Sequence, residues 1–238
     1  MEKVIYVVWR DPSTKPETFA QDLRTKLAQQ LLQLGARGVQ INVQDEDVAP
    51  AAALRQVNTL PQMDGLLSVW VDSAITSLRR PFDDAVLAAT GRMAGYLVTE
   101  SQPIRNTRHP ARAGERTPGF SQLAFLKRPP RLTHEAWLDT WHNRHTQVAI
   151  DTQDTFLYVQ NVVVRALTYG APPLDAVVEE GFPEAAMTDP QAFFDAPGDE
   201  AKYQRNLAAM MESCQRFIDF DKIDVVASSQ YIVRPPAA

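Results

Sequence analysis

The residues best suited to chemistry lie between Thr133 and Ala149, in T-H-E-A-W-L-D-T-W-H-N-R-H-T-Q-V-A. This stretch holds two of the four tryptophans and three of the four histidines. Trp137, Trp141, His145 and Ala149 recur every four residues, the spacing that lines up one face of a helix. Leu138 and Val148 widen the same stripe, so the face is apolar and aromatic with one imidazole set into it. A neutral imidazole can take or give a proton near neutral pH, which makes His145 a candidate general acid or base. Trp137 and Trp141 would wall such a site and keep water out of it. His142 falls about 100° round from Trp141, at the flank of the stripe, and is a second titratable candidate. The competing reading is a packing helix whose histidine donates to a backbone carbonyl.

The elements around this helix follow from pattern. Thr133 is placed to cap it, with Glu135 in its first turn, where the helix dipole favours a carboxylate. Before it, Phe120 to Lys127 reads as a strand; after it come strands over Leu157 to Leu167 and Ala176 to Phe182. Helical patterns over Asp189 to Phe194 and Asp199 to Phe217 and a strand from Ile223 to Val233 complete this half. The first half gives the same order. A strand over Lys3 to Trp9 is bounded by Asp11-Pro12, and a helix from Pro16 to Leu34 carries Phe19, Leu23, Leu27, Leu31 and Leu34 before Gly35 ends it. Strands over Gly38 to Val43, Leu66 to Val71 and Gly95 to Glu100 follow, with a helix over Ile75 to Ala89 whose start Pro81 is expected to disturb.

Each half is therefore β-α-β-β-α-β, a ferredoxin-like split unit of the α+β class, and such a unit leaves one sheet face to be buried. The expected organisation is a first unit over residues 1–101, a linker over 102–118 rich in proline and arginine, and a second unit over 119–238. The halves also match in register. One shift places Arg10 on Arg128, Pro12 on Pro130, Glu17 on Glu135 and Gln29 on Gln147; another places Asp64-Gly65 on Asp175-Ala176. A tandem duplication accounts for both. The differences carry the functional signal: Leu23 lies opposite Trp141, Leu27 opposite His145 and Ser68 opposite Glu179. Plain leucines suffice for packing in one half, so the other carries chemistry that the fold does not require.

Composition narrows the classes. The net charge is -5, and the one arginine-rich run lacks interleaved aromatic residues, which argues against a nucleic-acid partner. Cys214, the single cysteine, excludes an intrachain disulfide, and its setting among Met210, Met211 and Phe217 predicts a buried structural thiol. With no signal-peptide pattern and no apolar run of about 18 residues, a cytoplasmic protein without a membrane partner is expected. His142 and His145 could both face a cation, but no further ligand is fixed by spacing, and nothing beyond a histidine favours haem; no metal and no cofactor are expected. Glycine-rich phosphate loops and a G-x-S-x-G elbow are absent from the sequence.

The run K-R-P-P-R-L-T-H-E-A-W-L-D-T-W-H-N-R-H, with Y-V-Q-N at Tyr158 to Asn161 and D-A-V-V-E-E-G-F at Asp175 to Phe182, resembles the EthD family of dimeric α/β barrel proteins. Its aromatic-x3-Trp-x3-His core is Trp137, Trp141 and His145 here. The first half is similar only loosely, through Asp64-Gly65 and Tyr96 to Glu100, and lacks that core. Gly181 and Pro183 depart from the pattern and are expected to alter one pocket wall. The resemblance implies two ferredoxin-like units whose sheets pair into an intrachain barrel, a pseudo-dimer, with a further homodimer compatible with it. It also implies small-molecule catabolism or secondary metabolism. The expected function is a cofactor-free enzyme acting on a small apolar, aromatic or polyketide-like ligand. His145 would be the acid or base, Glu179 would orient it or hold a polar group, and Tyr158 and Asn161 would hydrogen-bond a substrate oxygen as charge develops. The alternative is a non-catalytic ligand-binding or accessory protein.

Overall fold

The structure, a computed structural model, describes residues 1–236. In the first half, β1 (Glu2–Trp9) leads into a helical run of α1 (Pro16–Asp22), a π-helical turn (Leu23–Leu27) and α2 (Ala28–Gln33). Strands β2 (Gly38–Val43) and β3 (Gly65–Val71), helix α3 (Thr76–Ala89) and strand β4 (Arg92–Ile104) follow. The second half repeats the order. Strand β5 (Phe120–Leu126) precedes α4 (His134–Leu138), a π-helical turn (Asp139–His145) and α5 (Thr146–Thr152). Then come β6 (Leu157–Ala166), β7 (Ala176–Phe182), α6 (Pro190–Phe193), α7 (Glu200–Gln215) and β8 (Asp224–Arg234). The Thr133 hydroxyl accepts from the Ala136 amide at 3.2 Å and caps α4 as its residue type requires.

The eight strands are antiparallel and close into one barrel in the order β1-β3-β2-β8-β5-β7-β6-β4. Two seams join the halves: β2 pairs with β8 through Asn42↔Gln230, and β4 pairs with β6 through Glu100↔Asn161. Closure leaves no free sheet edge, which answers the exposed-face problem of each half.

Alternation along the strands sorts their side chains into two compartments. Ile5, Val7, Leu66, Leu123, Phe125, Val177 and Val226 pack together inside the barrel. The intervening residues meet the helices. In the first half, Val4, Val39 and Val69 pack against Phe19, Leu23, Leu27 and Leu31; in the second, Ala124, Tyr158 and Val178 pack against Trp137, Trp141 and Phe217. No helix among the described residues is long and apolar enough to cross a membrane.

Three expectations need adjustment. Helix α3 continues through Pro81 rather than being disturbed there. The segment expected to be a linker is tied to the barrel, since β4 extends to Ile104. Further along, Gly114 and Thr117 donate backbone hydrogen bonds to Ile232 and Gln230 of β8, at 2.8 and 2.9 Å. Gly181 packs against Phe156 and Leu157, and a Cβ there would lie 2.5 Å from the Phe156 ring, so its smallness serves that contact.

Candidate active site

Between the helices and the sheet of the second half lies a cavity of about 580 Å³. Its floor is the outer face of β5, β6 and β7, with Gln122, Ala124, Tyr158, Val178 and Glu180. Trp141 and His145 descend from the π-helical turn, and Met210, Cys214 and Phe217 close it from α7 and the residues just after it. The first half contributes as well: Pro50, Ala53, Leu54, Arg55 and Gln56, between β2 and β3, line the same space. Mainly apolar walls with a few polar groups fit an organic ligand of modest size.

Three of the sequence candidates, His145, Trp141 and Tyr158, stand directly at this cavity. His145 is 6% exposed, its Nδ1 lies 3.0 Å from the Ser213 hydroxyl, and its ring rests on Phe217 at 4.6 Å between centroids. Burial pulls its pKa down to about 4, so the imidazole is neutral at physiological pH. Trp141 is fully buried and donates from Nε1 to the Tyr158 hydroxyl at 3.1 Å. That phenol is pushed above its ordinary pKa, first by burial and then by the neighbouring Glu180 charge, so it stays protonated.

Other candidates lie elsewhere. Trp137 packs behind Trp141, ring centroids 5.4 Å apart and tilted, and donates to the Phe217 carbonyl at 3.1 Å, which makes it support for the wall. His142 leans on Trp141 at 4.7 Å, outside the cavity lining; its Nε2 is buried without a partner, and burial lowers its pKa. Glu179 and Asn161 project to the other side of the sheet, into the barrel. There Glu179 accepts from Lys3 at 3.1 Å, Gln40 at 2.5 Å and Asn161 at 3.0 Å, and Lys3 also reaches Glu100 at 2.6 Å. Glu179 therefore does not orient His145, whose partner is Ser213, and its cation is Lys3. The reason is strand alternation: one residue's difference in position puts a side chain on the opposite face. Cys214 is half-buried and lines the cavity, with its thiol pushed up to about 12, first by burial and then by Glu180.

The group that sequence reasoning missed is Glu180. It is 8% exposed and lines the cavity, and the Gln122 amide donates to it at 3.3 Å. Burial raises its pKa to about 7, with that hydrogen bond acting in the opposite direction. Gln122, Glu180 and Tyr158 form one cross-strand row over β5, β7 and β6. The same row over β1, β3 and β2 is Val4, Val69 and Val39, each completely buried in the first-half core. The alternation that places Val178 and Phe182 on the helix side could have found Glu180.

The described residues thus form a closed eight-stranded antiparallel barrel of the α+β class, with a cavity between the helices and the sheet of the second half. Residues 129–221, in the second half of the chain, match the family model of the EthD domain. Among solved structures it is similar to an anthrone oxidase-like protein, with 9% identity and a TM-score of 0.58. That match covers 100% of this chain and 94% of the other, and at such identity the likeness is one of fold alone. A "putative monooxygenase" from Lactobacillus acidophilus aligns at 8% identity with a TM-score of 0.47, over 98% of this chain and 96% of that one. This weaker likeness carries no argument. No curated protein matches the sequence.

Proposed function

We propose that this protein is a small-molecule enzyme that removes a proton from an apolar aromatic or polyketide-like substrate held against the outer face of β5, β6 and β7. Glu180 is the base. It takes a proton from an acidic carbon, the C–H electron pair moves onto a conjugated substrate oxygen, and the carboxyl keeps the proton until it is returned or lost to water. A carboxylate with a pKa of about 7 is matched to such a transfer near neutral pH. Tyr158, held protonated, and neutral His145 are the hydrogen-bonding groups available to the developing oxyanion. Trp141 and Phe217 exclude water. The transferring groups all belong to the chain, so the reaction as written needs no cofactor. This reading treats the molecule as a tandem duplication of two ferredoxin-like units, 1–101 and 119–238, bridged by 102–118, in which only the second unit kept a site.

The observation that carries the reading is the Gln122–Glu180–Tyr158 row, whose first-half counterpart is three buried valines. A buried carboxylate is costly, and packing does not call for one. Anthrone, which the name of the similar structure contains, is a suitable probe because the methylene between its aromatic rings is a carbon acid. Hydrogen–deuterium exchange at that carbon, followed by NMR in deuterated buffer, should be accelerated by the wild type, with a rate rising through about pH 7. Glu180→Gln should reduce exchange to the buffer background, a loss on the order of 100-fold or more. Unchanged exchange by that variant would remove Glu180 from the base role.

A further inference from the structure

The stripe Trp141, His145, Ala149 continues one step further, to Gln153, the C-capping residue just after α5. Gln153 is 8% exposed and lines the cavity. Its side-chain oxygen is buried with no hydrogen-bond partner. An acceptor so enclosed is normally satisfied, because the desolvation of an unpaired polar group is not otherwise recovered. Its backbone amide already closes the helix by donating to the Ala149 carbonyl at 3.1 Å, so the residue's place on the chain does not require a polar side chain.

Its height in the cavity follows from one fixed point. Gln160 of β6 donates to Thr146 at 2.8 Å, which sets those two residues level. The helix runs antiparallel to β6, and seven residues along it from Thr146 amount to about 10 Å. That distance is roughly three residues of strand, which brings Gln153 level with Leu157. Leu157 is the neighbour of Tyr158, so the free carboxamide is close in height to the Gln122–Glu180–Tyr158 row.

We infer that Gln153 is a specificity-determining residue that hydrogen-bonds an oxygen substituent of the substrate, a carbonyl or hydroxyl carried on an apolar ring system. This inference rests on the cavity being the substrate site, as proposed above. It narrows the substrate class to oxygenated aromatic compounds and away from plain hydrocarbons of the same shape. The carboxamide offers both a donor and an acceptor, so either oxygen function can be bound. A site with a buried group needing such a partner discriminates against the analogue that lacks it.

The test uses naphthalene and 1-naphthol as probes, with binding to the full chain read at pH 6 by quenching of tryptophan fluorescence, Trp141 being in the cavity wall. The wild type should prefer 1-naphthol by roughly tenfold, the scale of one hydrogen bond made in a dry site. Gln153→Leu should abolish that preference while keeping naphthalene affinity, and its melting temperature should be equal to or above that of the wild type. A second variant, Gln153→Glu, should retain 1-naphthol binding at pH 6 better than Gln153→Leu does. A preference that survives Gln153→Leu and disappears in Glu180→Gln would overturn the assignment and give the oxygen to Glu180. Failure of the wild type to bind either probe would instead sink the proposed substrate site itself.

Discussion

Glu180 and His145 share one cavity, yet burial displaces them in opposite directions along the pH scale. The folded pKa of Glu180, about 7, lies above the ordinary value of 4.5. Between those values the folded chain holds the extra proton, so this group costs stability as pH rises from about 4.5 to about 7 and continues to cost it above. At ~1.4 kcal/mol per pKa unit the full cost is roughly 3 kcal/mol. Glu180→Gln should therefore melt higher than the wild type at pH 8 and the same at pH 4, while losing turnover, a trade expected of a functional residue. Thermal denaturation at the two pH values checks it. His145 reverses the sign. Its folded pKa of about 4 lies below 6.5, so the unfolded chain binds more protons between those values, and stability is lost as pH falls through that window. His145→Gln should therefore be relatively more stable at pH 4 than at pH 8, which the same melts would show. At this scale the sequence was legible in the helix and ambiguous in the strand. Repetition every four residues identified His145 and Trp141, and one further step would have reached Gln153. Glu179 and Glu180 are adjacent, and only the phase of the strand decides which one meets the cavity.

The helical run around His145 contains a π-helical turn at Asp139–His145, and such turns occur frequently at functional sites. The first half has one too, at Leu23–Leu27, where the buried side chains are Leu23 and Leu27. The turn is thus a property of both helices, and the chemistry comes from what is mounted on it. Strand β7 shows the converse, a position where backbone space controls the element. Gly181 admits the Phe156 ring, and Gly119, at φ 91°, leaves no room for a Cβ, which would meet the Phe182 carbonyl oxygen at 2.1 Å. Both flank the end of β7 next to Glu180. Gly181→Ala should push Phe156 out of its seat and cost about 1–3 kcal/mol, the usual range for overpacking. A drop in the denaturant midpoint with an unchanged slope would show it; an unchanged midpoint would mean that Phe156 is not held as described. Element order was legible because turn residues and apolar periods are local. The 102–118 segment was not, because its ties to β8 are backbone hydrogen bonds over a long chain separation, and these leave no mark on composition.

The two halves meet at more than the two strand seams. Lys3 of β1 and Glu179 of β7 form an ion pair inside the barrel, with side-chain exposures of 4% and 1%, and Glu100 of β4 joins them. The Lys3 ammonium also lies 4.8 Å from the centre of the Trp70 ring. Such a pair does little for net stability but is expensive to break from one side, because the remaining charge stays buried. Lys3→Met should accordingly destabilise the whole chain by about 3–5 kcal/mol. Neither half has a complete surface of its own. Cut at the 102–118 connector, residues 119–238 would expose the edges of β6 and β8 and the inner faces of Leu123, Phe125, Val177 and Val226, now buried at 0–3% exposure. Exposed strand edges beside an apolar face are templates for pairing with another chain. The fragment expressed alone should therefore elute as a dimer or larger species in size-exclusion chromatography. Co-expressed with residues 1–118, it should co-purify as a one-to-one complex that recovers the wild-type elution volume and the exchange activity. A monodisperse, folded monomer of 119–238 would contradict this, since the cavity half would then not depend on the barrel that its partner half completes. The same experiment bears on the site, because Pro50 to Gln56 of the first half line the cavity and would be missing from the fragment.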